Sequence, residues 1–79
     1  MTLTLYSRAY CSLCSVMRAE LEPWRLRYGF GLEVVDVDDD PALCARFDER
    51  VPVLMDGDVE ICHYHLDLQC LAAHLGEIS

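Results

Sequence analysis

Two cysteines three residues apart, in Tyr10-Cys11-Ser12-Leu13-Cys14, are the residues of this chain whose type and spacing best suit chemistry. The residues before them read as a short strand and those after them as a helix, so both thiols fall at a strand-to-helix corner. At a helix start the first backbone N–H groups lack intrahelical partners and the dipole is positive, which favours an anion. The thiolate is the reactive form of cysteine, and an ordinary thiol pKa of about 8.5 falls to roughly 3.5–7.5 in such surroundings. Cys11 is therefore the candidate nucleophile. Cys14 follows one turn along the same helix face, within reach of a mixed disulfide formed on Cys11, and is the candidate resolving thiol. Arg8, in the loop just ahead, is placed either to favour the thiolate or hold a ligand carboxylate, or to lie solvated.

A second spacing competes for these thiols. Cys62 and His65 form a Cys-x-x-His pair, and with Cys11 and Cys14 they would supply four ligands to a tetrahedral zinc ion. A redox-inert interaction module is the third class of reading. Against zinc, the gap between the two pairs is long and Cys62 closes a strand pattern. His63 and His65 read more simply as solvated or hydrogen-bonded residues, Cys44 and Cys70 as packing, and Cys62 as packing or a second redox thiol.

With 79 residues, the chain is expected to form one domain over 1–79, monomeric and thin-cored, burying roughly 60% of its unfolded surface. A 53% hydrophobic composition with four Tyr, two Phe and one Trp is globular. Fourteen acidic residues against six arginines give a formal charge of −8, a field that repels nucleic acid and anionic membranes. No apolar run approaches membrane-span length, and Met1–Tyr6 lacks the pattern of a signal peptide. Five cysteines, an odd count with only one close pair, fit a reducing compartment and a cytoplasmic protein better than a disulfide scaffold.

The elements that must position the cysteines follow from pattern. Thr2–Tyr6 alternates as a strand, with Leu3 and Leu5 on one face. From Ser12, apolar residues at Leu13, Val16, Met17, Leu21, Trp24 and Tyr28 mark a helix with one buried stripe, leaving Cys14 buried and Cys11 more exposed. Pro23 is expected to kink or divide that helix near Leu21-Glu22, and Gly29 and Gly31 to end it. Leu32–Val37 reads as a parallel second strand, Asp38–Pro41 as a solvated turn with Asp40 capping a short helix to about Asp48. Val53–Met55 and Val59–Cys62 read as a hairpin around Asp56-Gly57, and Tyr64–Leu75 as an amphipathic helix capped at Gly76. The order β-α-β-α-β-β-α gives an α/β fold, a four-stranded mixed sheet with helices on both faces.

Leu3–Ser7 leading into Cys11–Cys14, then Val35–Asp38, Arg50-Val51-Pro52-Val53-Leu54 and Asp56-Gly57, together resemble the glutaredoxin-like family of the thioredoxin-fold superfamily. The resemblance implies sheet order 2-1-3-4, a third strand antiparallel to the first, and a cis peptide between Val51 and Pro52. It further implies thiol-disulfide exchange by Cys11 and Cys14 without metal or organic cofactor, with Val51 and Pro52 docking the substrate and Arg8 and Tyr10 flanking it. A disulfide-containing protein or a glutathione mixed disulfide is the implied partner. Glutathione-binding members carry Gly-Gly where this chain has Cys62-His63, so side chains occupy that space.

Overall fold

The computed structural model describes residues 1–78, with side chains through residue 76. Alternating Thr2–Ser7 forms β1, and a loop leads into α1, Ser12–Tyr28. Gly29, at φ 71°, closes α1 by donating its N–H to the Arg25 carbonyl at 2.8 Å, the left-handed stop that glycine allows. β2 (Gly31–Asp36) and a 3₁₀ turn over Val37–Asp39 precede α2 (Pro41–Phe47). β3 (Val53–Asp56), β4 (Val59–His63) and α3 (Leu68–Ile78) complete the order. The sheet runs β2-β1-β3-β4, with β1 parallel to β2 and antiparallel to β3.

Strand alternation divides the interior in two, because successive side chains leave a strand on opposite faces. Leu3, Leu5 and Leu54 point to one face and pack with Met17 and Leu21 of α1 and Leu71 and Leu75 of α3. Val53 and Met55 point to the other, where they meet Phe47 of α2 and Val37. Tyr6 stacks on Phe47 there, ring centroids 4.5 Å apart. Helices thus cover both faces, and each fully buried side chain contributes about 1.5–3 kcal/mol.

Four expectations are corrected. Pro23 does not divide α1. It sits on the exposed face of the helix, away from the core. The buried stripe of α1 is Cys14, Met17 and Leu21 with Trp24 half-buried, whereas Leu13 and Val16 are 37% and 52% exposed. At about 100° per residue Val16 lies on the far side of the cylinder from Cys14 and Leu21. α3 starts at Leu68, not Tyr64, because the Asp67 carboxylate accepts the Cys70 N–H at 3.0 Å as its N-cap, and Gly76 lies inside the helix. The hairpin turn is Gly57-Asp58, since Asp56 pairs with Val59 and Gly57 takes φ 59°.

β4 carries a bulge. Leu54 pairs with Cys62 but Met55 pairs with Glu60, leaving Ile61 as the extra residue. Ile61 and Cys62, adjacent in sequence, therefore both enter the same core.

Candidate active site

β1 delivers the chain to Cys11, which has extended dihedrals (φ −103°, ψ 108°) and caps α1. Its sulfur accepts the Cys14 N–H at 3.2 Å, and its carbonyl accepts the Ser15 N–H at the same distance. The Cys11 sulfur thus occupies the slot that a Ser or Asp oxygen usually fills at a helix start. The two sulfurs lie at disulfide-bonding distance, with Cα atoms 5.2 Å apart. Cys14 is 5% exposed and Cys11 more open, as the strand-to-helix corner implied. A concavity of about 500 Å³ opens beside the pair, lined by Ser7, Tyr10, Ser12, Ser15, Arg18 and Val34 among others.

Tyr10 precedes Cys11 at φ 60°, a left-handed conformation uncommon for a bulky residue, and its ring stands wholly in solvent at the mouth of this concavity. Arg8 also lines it, but its guanidinium is held elsewhere. Its Nε is 3.0 Å from Asp38 Oδ2, and an Nη reaches Asp48 Oδ1 at 2.5 Å and lies 3.6 Å from the half-buried Cys44 thiol. Those carboxylates, Asp48 first and then Asp38, raise the Arg8 pKa still further above its ordinary value. Its charge is balanced within the chain, and the acidic turn is a tether for the loop ahead of Cys11, not merely solvated. The cation that spacing had not singled out is Arg18. It falls seven residues after Cys11 and four after Cys14, a helical interval that was the available signal.

Val51 and Pro52, joined by a cis peptide bond, do not line that concavity. The register nonetheless sets them at the same sheet end, since Tyr6 pairs with Val53 while β1 runs on to Cys11. The Arg50 and Val51 N–H groups both donate to the Phe47 carbonyl, at 2.8 and 3.2 Å.

The four residues of the zinc reading are split. Cys62 and His65 line a separate concavity of about 740 Å³ between the end of β4 and the start of α3, while Cys11 and Cys14 line the first. Among the described residues, no group of three or more His, Cys, Asp or Glu side chains converges as a metal site. His63 bonds Glu60 through Nδ1 at 3.0 Å, and Glu60 in turn pairs with Arg50. Cys62 is buried, and burial pushes its thiol pKa up. Cys70, expected to pack, is exposed, and its hydrogen bond to the Asp67 carboxylate pushes its pKa up.

A four-stranded 2-1-3-4 sheet with a Cys-x-x-Cys pair capping the first helix and a cis-proline entering the third strand defines a thioredoxin-fold protein. Residues 2–76 match the family model described as glutaredoxin-like domain (DUF836), and the chain belongs to this glutaredoxin-like family. No curated protein matches it. Among solved structures it is similar to Ne2328 of Nitrosomonas europaea, at 37% identity and TM-score 0.82, covering 92% of this chain and 88% of that one. The X. campestris protein XcR50 is 35% identical with TM-score 0.75, over 95% and 96%. The glutaredoxin-like NrdH-redoxin from Escherichia coli, whose activity profile is described as thioredoxin-like, is 25% identical with TM-score 0.62, over 100% and 96%. Family and paired sulfurs together point to a redox function of oxidoreductase type. No helix among the described residues is long and apolar enough to cross a membrane.

Proposed function

We propose that the protein is a thiol-disulfide oxidoreductase in which Cys11 is the nucleophile and Cys14 the resolving thiol. The observation that carries this reading is the Cys14 N–H aimed at the Cys11 sulfur in the cap of α1. In the reduced protein that donor, with the unpaired amides and dipole of the helix start, favours Cys11 as thiolate. The thiolate attacks one sulfur of a substrate disulfide, forming a mixed disulfide and expelling the other sulfur, which takes a proton from water. Cys14 loses its proton and displaces the second sulfur. The substrate leaves as two thiols, carrying two electrons, and Cys11–Cys14 is left oxidised. A dithiol protein or two molecules of glutathione return the two electrons. The sulfurs carry the electrons themselves, so the cycle calls for no metal or organic cofactor.

The favoured substrate is a disulfide in another protein. Tyr10 adds an exposed aromatic ring beside Cys11, and Leu13 and Val16 leave apolar surface exposed on α1, which suits a polypeptide partner. Val51 is the docking position for the partner's backbone, with Pro52 fixing the turn. Cys62 and His63 stand where glutathione-binding relatives have paired glycines, which leaves glutathione better suited as reductant than as docked substrate. Such a cycle belongs in a reducing compartment such as the cytoplasm.

Turnover of a protein disulfide, with glutathione or a thioredoxin reductase as electron source, tests the reading. Cys11→Ser is expected to abolish it, and Cys14→Ser, mixed with the substrate without a reductant, to stop at one mixed disulfide that mass spectrometry detects on Cys11. Full activity in Cys11→Ser would overturn the assignment.

A further inference from the structure

The Glu49–Pro52 segment, which carries the proposed docking position Val51, belongs to no strand or helix. On the α2 side it is held by the Phe47 carbonyl, which accepts the Arg50 and Val51 N–H groups. On the opposite side it is held by one residue just past the end of β4. The Tyr64 N–H donates to the Pro52 carbonyl at 2.9 Å, and the Tyr64 hydroxyl donates to the Glu49 carbonyl at 2.6 Å. These two bonds bracket Arg50 and Val51. A third grip is electrostatic, because Arg50 pairs with Glu60 of the same strand.

Tyr64 makes this bracket from an unfavourable conformation. Its φ is 64°, and the His65 N–H donates to the His63 carbonyl at 2.8 Å across it, the pattern of a γ-turn with positive φ, which is rare and strained. Burial does not offset that strain, since the residue is 41% exposed. What the conformation achieves is direction: it turns the chain off β4 so that one residue's amide and hydroxyl reach both ends of the docking segment. Backbone strain held by surrounding contacts is a feature of ligand-clamping positions.

We propose that Tyr64 is a positioning residue that braces the Glu49–Pro52 segment, holding the Val51 backbone ready to pair with an extended polypeptide that carries the disulfide. The proposal rests on Val51 as the docking position. It assigns Tyr64 to selection of polypeptide disulfides over small ones, because a small disulfide offers no backbone to pair. The Cys11 thiolate lies on another element and owes nothing to this brace.

Single-turnover reduction separates the two claims. Reduced protein is mixed with either a disulfide-bonded hexapeptide or bis(2-hydroxyethyl) disulfide, quenched in acid and alkylated, and the thiols remaining at Cys11 and Cys14 are counted by mass spectrometry of the protein. Tyr64→Phe keeps the ring and loses only the bond to Glu49, so its rate constant with the peptide should fall about three- to ten-fold, the range of one net hydrogen bond. Its rate constant with the small disulfide and its pH profile of Cys11 alkylation should match the parent. Tyr64→Gly, which relaxes the positive φ and also removes the hydroxyl, should lose at least as much with the peptide. Unchanged peptide rates in both variants, or equal loss with both disulfides, overturn the brace. A parent that reduces neither disulfide overturns the oxidoreductase reading, and the brace with it.

Discussion

Two helices of this protein start beside cysteines, and they use their first amides in opposite ways. At α1 the N-cap is Cys11, whose sulfur accepts the Cys14 N–H at 3.2 Å. At α3 the N-cap is Asp67, whose carboxylate accepts the Cys70 N–H at 3.0 Å. The position is the same, three residues ahead of a cysteine, and only the capping atom differs. At α3 the helix donors satisfy a carboxylate, whose own pKa they lower, and the thiols nearby become harder to ionise: Cys70 through its bond to Asp67, Cys62 through burial. At α1 no carboxylate intervenes, so the same donors are left to a sulfur. Of the two starts, only that of α1 has a thiol as its cap.

The largest effect that tests this comparison comes from making the two starts alike. Cys11→Asp gives α1 the cap of α3; disulfide exchange should fall by about 10³-fold or more, as when a nucleophile is removed, while the melting temperature holds because Asp caps well. Retained exchange would mean that another thiol does the chemistry. A smaller effect is expected among the native thiols. In the reduced protein at pH 7, iodoacetamide should label Cys11 at least about ten-fold faster than the exposed Cys70 or the buried Cys62, whose raised pKa values leave less thiolate. Equal rates at Cys11 and Cys70 would erase the distinction.

The smallest effect is on stability. Asp67→Ala removes the α3 cap and should lower the melting temperature by about 5 °C at neutral pH. The folded Asp67 pKa lies below its ordinary 3.8, chiefly through the Cys70 N–H. Its contribution is therefore complete above the unfolded value and disappears as pH falls through the folded one. Thermal unfolding of parent and variant should converge in strong acid, and a gap that persisted there would assign the loss to something other than the ionised cap.

The order of elements and the placement of Cys11 at the start of α1 were legible because each rests on local pattern: alternation in Thr2–Ser7, helical spacing around Cys14, Asp40-Pro41 before α2. The sheet order 2-1-3-4 came instead with the family resemblance. The Asp67 cap went unread, because the apolar spacing of Tyr64, Leu68, Leu71 and Leu75 continues through it and concealed the break. What pattern could not supply were contacts between residues remote in sequence. The pairing of Arg8 with Asp38 and Asp48 spans 30 and 40 positions, and Tyr64 reaches Glu49 across 15. The bulge at Ile61 was hidden for a related reason, because a run of strand-forming residues looks the same whether or not one of them lacks a partner.

That bulge also bears on how the molecule meets its own copies. β4 is an outer strand of the sheet, and an outer strand with a regular row of amides and carbonyls invites a second chain to extend the sheet. By spending one residue out of register to bury Ile61 and Cys62 together, β4 breaks the regularity of that row. The packing of the core thus makes the strand a poor template for edge-to-edge aggregation, and the protection comes from the fold itself.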